Sequence, residues 1–447
     1  MTYRRWLSAM LFTGLLAISG ALSANAQSAS PTATPTPGLC SISQMPNGAP
    51  VFCRTGAEPP PSLLGVSGGN YNSVAVDKKT GAITCCAGTL GALVQDSKGN
   101  PYVLSAGHVL ARNSSTSRSA AVNEPIVQPG LVDLGCWQEP EDTVAKLSSW
   151  SRISFNRGSN QLDAAIGRVV NNAEASPGGP PVEGVDPEGR ILNIVPPDAP
   201  QDQMAGQISN TPFPFNDLIE GLPVVKMGRT SCLTSGVIDA FDATGTVTYP
   251  DTCNVVASGT ALFTHQILVF GQALNGSQSS ASGCTFAEQG DAGAMVVTAD
   301  FSCPQAIGIV FAATPAAGTP YGPETGGTIV AVSPIQTILS KFSVSLVGQT
   351  CTPGPLAPEF DIPIPQPSDA LRASIERVRK VKDRHARRLL KKKGVVAVGI
   401  AAGDNGDTAE LAVYVRDDVP GAAARIPAEI KGVKVRVRKV RGRFRAL

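Results

Sequence analysis

Aromatic residues make up only 5% of this chain and charged residues 16%, and three histidines serve all 447 positions. So few aromatic rings leave little material for a platform that stacks nucleic-acid bases. The ten cysteines never stand in Cys-x-x-Cys spacing, and with so few histidines this argues against zinc and other metal centres. Past residue 26 no run is long and apolar enough to span a bilayer. Regular alternation of strand and helix patterns is also missing, which speaks against a doubly wound α/β sheet. What the chain has instead is 46 Gly and 36 Pro among ordinary apolar content of 42%. Those numbers suit an all-β body of short strands, tight turns and long loops.

The first residues read as an export signal. Arg4 and Arg5 are followed by an apolar stretch from Trp6 to Leu22, and Ala24-Asn25-Ala26 supplies a small-residue cleavage pattern. Residues 1–26 are therefore expected to be a signal peptide, which implies a secreted or periplasmic protein. An even cysteine count in an oxidising compartment predicts disulfides. Short loops would be closed by Cys40/Cys53, Cys232/Cys253 and Cys284/Cys303, while one of the adjacent pair Cys85 and Cys86 would reach farther, to Cys136.

Composition then divides the chain. Gln27 to Gly38 is a Ser/Thr/Pro-rich tether, and residues 27–62 are expected to be a disordered tether and N-terminal segment. From 63 to 350, runs such as Gly91–Val94, Tyr102–Leu104 and Ala306–Val310 alternate with turn residues, the signature of antiparallel strands. Asn171 to Leu222, rich in Pro, Gly and acids, would join two halves of this body. Residues 351–368 form a proline-rich linker. Beyond it, Ser368 or Asp369 can cap a helix carrying Leu371, Ile375, Val378 and Val381, with Gly394 as its stop. Strand-like runs follow at 394–400, 410–416 and 434–438, giving a small α+β unit over 369–447. That unit holds 21 Lys and Arg against 9 Asp and Glu, leaving 16 against 26 for the rest.

Four segments carry chemistry in a fixed order. Val103-Leu104-Ser105-Ala106-Gly107-His108 is a strand running into a turn that presents a histidine. Gln161-Leu162-Asp163-Ala164-Ala165-Ile166 sets an acid ahead of an apolar run. Gln289-Gly290-Asp291-Ala292-Gly293 is a glycine-flanked turn, and Ala306–Ala313 is an apolar strand. The ordered set resembles the trypsin-like serine peptidases, over about residues 85–347. Within them it is similar to a bacterial branch related to the plant narrow-leaf protein, through Gly228-Arg229-Thr230-Ser231 and Gln128-Pro129-Gly130. The resemblance implies an all-β double antiparallel β-barrel, here with a small basic α+β C-terminal domain.

It also implies roles. His108 would be the general base, Asp163 would orient its imidazole, and the N–H groups of Gly290 and Ala292 would form an oxyanion hole. Asp142 is a rival for the aspartate role. Phe286, six positions before 292, would sit in the substrate pocket, which argues against cleavage after Lys or Arg; Ala306–Ala313 would line the cleft. The departure is at the nucleophile, where the family has serine and this chain has Ala292. Losing that group costs on the order of 10⁶ in turnover. Cys284, Thr285 and Ser282 lie too far upstream to replace it in a rigid scaffold. The expectation is a peptide-binding peptidase homologue without activity and without a cofactor. The alternatives are an active serine protease presented with serine replaced by alanine, and an envelope-binding or structural protein acting through its basic domain. Residues 369–447 would serve solubility, dock on the acidic body, or meet an anionic envelope component; nucleic acid is disfavoured.

Overall fold

The computed structural model describes residues 39–447 except 59, 77–78, 112–119, 156–157, 173–181, 250–258, 275–282, 316–328, 352–366 and 404–405. The export signal, the tether from 27 to 38 and most of the proline-rich linker lie outside the described residues.

The apolar runs fold into two barrels. In the first, strands β1 (Val66–Asn70), β2 (Gly88–Leu90), β3 (Ala92–Gln95), β4 (Pro101–Ser105), β5 (Pro125–Val127), β6 (Thr143–Trp150) and β7 (Ala165–Val169) pair in the order β2-β1-β5-β6-β7-β4-β3. Only Gly91 separates β2 from β3, so one bent strand contributes to both edges and the sheet closes on itself as six strands. Gly91 is required there, because a Cβ would stand 2.0 Å from the carbonyl of Gly293 in the other barrel. Helix α1 (Gly107–Leu110) follows β4 directly.

The second barrel uses β8 (Pro223–Gly228), β9 (Cys232–Tyr249), β10 (Gly259–Gly271), β11 (Met295–Thr298), β12 (Ala306–Ala313) and β13 (Ile329–Pro334). Their order is β8-β11-β12-β13-β10-β9, and β9 pairs back to β8 to close the ring. β12 is buried at every position, which its unbroken apolar run Ala-Ile-Gly-Ile-Val-Phe-Ala-Ala foretells. Helix α2 (Ile335–Phe342) then returns the chain to the first barrel, where β14 (Ser345–Leu346) pairs with β3.

β9 is 18 residues long and continues past the barrel. Three register shifts between Ile238 and Gly245, with Asp242 at φ +48°, bend it outward. Its far half pairs with β15 (Val395–Ala402), which follows helix α3 (Asp369–Leu390). The sheet then continues through β16 (Ala409–Arg416) and β18 (Val433–Val440) to β17 (Glu429–Ile430). Ser368 caps α3, its hydroxyl accepting from Leu371 N–H, and Leu371, Ile375, Val378, Ala386 and Leu389 form the buried stripe. The fold is thus an all-β double barrel carrying a small α+β unit, whose sheet is continuous with the second barrel.

Basic residues of the C-terminal unit meet acids of the second barrel. Lys382, fully buried, lies 2.6 Å from Asp242, whose carboxylate also takes Arg379 at 3.0 Å. Burial would raise the Asp242 pKa, but His265 and Lys382 hold it down at about 2. Arg438 pairs with Asp239 and Glu220, and Tyr414 donates to Asp239 at 2.6 Å. A last short strand, β19 (Phe444–Ala446), leaves this unit and re-enters the barrel between β9 and β12.

Two expectations need correction. Residues 39–58 and 60–62 are not a disordered tether. Leu39 and Ser41 bridge to Thr285 and Thr234, Met45 is buried, and disulfides Cys40–Cys284 and Cys53–Cys232 fasten the segment across the second barrel. Those bonds, with Cys303–Cys351, also replace the expected local staples, because chain segments far apart in sequence are neighbours across a barrel. Cys85–Cys136 forms as expected. Among the described residues no helix is long and apolar enough to cross a membrane.

Candidate active site

β4 delivers His108 at its end, and Gly107 makes the delivery possible. A Cβ at 107 would stand 2.6 Å from Asp163 Oδ1. The backbone N–H of His108 donates to Asp163 Oδ1 at 3.0 Å, and ring Nδ1 meets Oδ2 at 2.7 Å. One carboxylate thus fixes both backbone and ring. Asp163 is fully buried, yet Tyr249 at the end of β9 donates to Oδ2 at 2.7 Å, and its own N–H donates to Ser333 at 3.1 Å. Burial would push the Asp163 pKa up; the adjacent imidazole and these donors hold it below the ordinary carboxylate range. Burial opposes charge on His108, but the Asp163 carboxylate outweighs it and raises the imidazole pKa. Burial and the same carboxylate push Tyr249 well up, so its hydroxyl stays a donor.

The turn from Glu288 to Gly293 is built around Asp291, another fully buried carboxylate. Its Oδ1 accepts from Thr230 N–H at 2.9 Å and Ser231 N–H at 3.1 Å; Oδ2 accepts from Glu288 N–H at 2.8 Å and from the Ser231 hydroxyl. Buried Lys226 lies 3.4 Å from Oδ2, and burial lowers its ammonium pKa against the pull of Asp291. Gly228-Arg229-Thr230-Ser231 therefore acts by holding Asp291, and Gly228 leaves room for it: a Cβ would be 2.5 Å from Oδ1.

Two further bonds orient the backbone that would form an oxyanion hole. The Thr230 hydroxyl donates to the Gln289 carbonyl at 2.7 Å, so the trans peptide 289–290 turns the Gly290 N–H the opposite way. Ala294 N–H donates to the Asp291 carbonyl at 3.0 Å, which fixes the Ala292 N–H in the same manner. Gly290 at φ +101° and Gly293 at φ +96° adopt backbone that favours glycine. Ala292 is fully buried.

β2 of the first barrel grips this turn. Thr89 N–H donates to the Ala292 carbonyl at 2.8 Å and the Thr89 hydroxyl to the Gly290 carbonyl at 3.0 Å. A Cβ on Gly293 would stand 2.0 Å from Ser105 Oγ, on the strand that delivers His108. The structure therefore joins His108 to Asp163, and seats the turn holding Gly290 and Ala292 against β2 and β4 of the first barrel. It does not bring Asp142 to His108. Phe286 is buried, with the Lys226 ammonium 5.5 Å from its ring centre. Cys284 is in a disulfide, Thr285 bridges to Leu39, and Ser282 lies outside the described residues. His265 binds Asp242 at 2.6 Å and His385 neighbours Arg388, both apart from the His108–Asp163 pair. Among the described residues no three His, Cys, Asp or Glu converge as metal ligands would.

Sequence reasoning missed Tyr249, Ser333, Lys226 and Leu447. The last is the most consequential. Leu447 N–H donates to the Phe311 carbonyl at 3.1 Å, and its carbonyl oxygen lies 2.8 Å from His108 Nε2.

No family model matches the chain, and no curated protein matches it. Solved structures similar to it include Thermobifida fusca Protease A, at 16% identity and a TM-score of 0.34, covering 64% of this chain and 98% of that one. A glutamic acid specific serine protease is similar at 17% identity and TM-score 0.32, covering 64% and 99%. A Cellulomonas bogoriensis chymotrypsin is similar at 16% and 0.33, covering 64% and 98%. The strand pairing, not these low scores, carries the reading of the fold.

Proposed function

We propose that this chain is an exported trypsin-like peptidase homologue, of the branch related to the narrow-leaf protein, whose cleft binds peptide but does not hydrolyse it. The carrying observation is the His108–Asp163 pair, its carboxylate fully buried; it supports reading the turn at 288–293 as the nucleophile turn, with the methyl of Ala292 where the family has serine. A serine hydroxyl there would pass its proton to His108 Nε2, attack a peptide carbonyl and leave the oxyanion on the N–H groups of Gly290 and Ala292. Asp163 would hold the resulting imidazolium. Without the hydroxyl no acyl-enzyme forms, while the base, its orienting acid and the backbone hole remain in place.

The branch reading is supported by what its motifs do: Thr230 and Ser231 hold Asp291, and Gly130 packs where a Cβ would meet Ala87 at 2.4 Å. Export is supported by the residue pattern from Arg4 to Ala26 and by disulfides.

The test is Ala292→Ser treated with a fluorophosphonate probe. Labelling of the variant, with none of the unchanged chain, is the expected result. An unlabelled variant that remains folded would show that the site has lost more than an oxygen. The organised surroundings equally favour an active protease presented with serine replaced by alanine. Serine at codon 292 of the source gene would decide for that second reading.

A further inference from the structure

We propose that residues 444–447 are an intramolecular ligand of this cleft, seated as a peptide substrate would be, and that they display the peptide class it accepts. The inference rests on the reading of the site above and adds an occupant and a specificity to it.

The geometry is that of an inserted strand. β12 pairs with β11 only as far as Ile309, which leaves its edge from Phe311 to Ala313 open to another partner. β19 takes that edge in antiparallel register, Ala446 beside Ala312 and Arg445 beside Ala313, and Leu447 N–H extends the ladder to the Phe311 carbonyl. On its other side β19 runs parallel to β9, Phe444 beside Val247 and Arg445 beside Thr248. Strand addition of this kind gives affinity through the main chain and specificity through alternate side chains. Phe444 and Ala446 are buried, Arg445 is exposed, and Leu447 is half-buried against the apolar interior.

The carbonyl of Leu447 reaches the reacting position, 2.8 Å from His108 Nε2. Nδ1 of the same ring faces the Asp163 carboxylate, so both ring nitrogens face oxygen acceptors. A doubly protonated ring satisfies both, and such a ring cannot act as a base. The segment therefore blocks the cleft sterically and also ties up its histidine. The peptide class it displays is an extended chain with an aliphatic residue at the carbonyl beside His108, a small residue before it, and a solvent-facing cation before that.

The probe is a fluorescein-labelled Phe-Arg-Ala-Leu peptide, titrated by anisotropy into the full chain, into a chain lacking 444–447, and into Leu447→Lys. A tethered ligand competes at roughly millimolar effective concentration, so the full chain is expected to bind the probe at least about tenfold more weakly than either variant. Leu447→Lys keeps β19 and places a cation among apolar side chains beside a cationic ring, so it decides the matter if the deletion fails to fold. Equal affinity for full chain and variants overturns the proposal.

A second arm separates this failure from failure of the site reading. In the Ala292→Ser background, fluorophosphonate labelling at least about tenfold faster in Leu447→Lys than in the full-length tail supports occupancy. Equal, ready labelling overturns the proposal while leaving the site reading intact. No labelling in either overturns the site reading, and the anisotropy comparison still decides occupancy.

Discussion

Asp291 organises the turn from Glu288 to Gly293, and replacing it should cost more than replacing its cationic neighbour. Asp291→Ala leaves four donors without their acceptor: the N–H groups of Thr230, Ser231 and Glu288, and the Ser231 hydroxyl. The N–H of buried Ser231 would go unmet at about 1–3 kcal/mol and its hydroxyl would keep only a long contact to the Phe286 carbonyl, while the N–H groups of exposed Thr230 and half-buried Glu288 can turn to water and lose less. Lys226 adds less, because burial disfavours its charge and partly offsets the pull of Asp291. Lys226→Met removes one cation from a carboxylate that keeps those four donors. Its cost should fall below the about 3–5 kcal/mol typical of a broken buried pair. Since domains hold only about 5–15 kcal/mol in total, Asp291→Ala should expose a large part of the second barrel. Urea unfolding followed by fluorescence measures both losses, and fluorophosphonate labelling in the Ala292→Ser background reports whether the turn survives. Lys226→Met costing as much as Asp291→Ala would refute the assignment of Asp291 as the organiser.

The other expectations concern the base and the docked unit. Burial opposes charge on His108, but Asp163 and the Leu447 carbonyl raise its pKa above the usual 6.5. Its stabilising contribution is then full below that unfolded value and lost as pH rises through the folded one. Tyr249 stays protonated across this range, Asp163 stays charged, and among the described residues no other charged side chain bonds the ring. With three histidines in the chain, the His108 Cε1 proton can be followed by NMR, and deleting 444–447, which removes an acceptor and uncovers the ring, should shift its midpoint. An unmoved midpoint would show that Leu447 does not hold the ring. Tyr249→Phe removes one donor to a charged carboxylate, about 1.5–3 kcal/mol, and should slow labelling of Ala292→Ser while leaving the Lys226–Asp291 region untouched. Lys382→Met leaves Asp242 with Arg379 and His265 but removes the cation buried beneath α3. Limited proteolysis should then cut within α3 faster than in the unchanged chain; an identical cleavage rate would count against Lys382 as a clamp.

How much of this was legible depends on how local each signal is. His108 and Asp163 each stand beside a strand of their own barrel, β4 and β7, so a short motif and its order suffice to find them. The turn at 288–293 is recognisable for the same reason, because Gly290 and Gly293 are demanded by backbone the turn itself adopts. Tyr249 and Ser333 carry no such mark: each sits at the end of a strand whose apolar pattern says only that it is buried, and closure of the second barrel brings them to Asp163. The cysteines failed for a related reason. Spacing along the chain suggests short loops, whereas Cys40 and Cys53 cross the face of a barrel whose Cys284 and Cys232 are distant in sequence. The alternation of valine with Lys and Arg over 434–438 correctly indicates a strand, but nothing in Phe444-Arg445-Ala446-Leu447 separates it from a frayed end. Its place is set by an open edge on β12 that exists only after the barrel has formed.

That open edge also sharpens what Ala292 does. On the proposed reading, peptide binding in this cleft would use backbone groups on Phe311 to Ala313, an acceptor-facing imidazole on His108 and N–H groups on Gly290 and Ala292, and none of these uses a hydroxyl at 292. A hydroxyl would contribute almost wholly to the transition state, on the order of 10⁶ in turnover, and little to ground-state affinity. The two readings of the chain, natural binder or altered protease, therefore predict similar peptide affinity and differ only in chemistry. Occupancy by residues 444–447 bears on both. In a binder it sets a threshold that an external peptide must exceed. In a protease it would hold the base protonated until the segment leaves. Affinity measurements alone cannot tell these apart, whereas serine restored at 292 with and without a seated Leu447 can, because only then does the state of His108 become a rate.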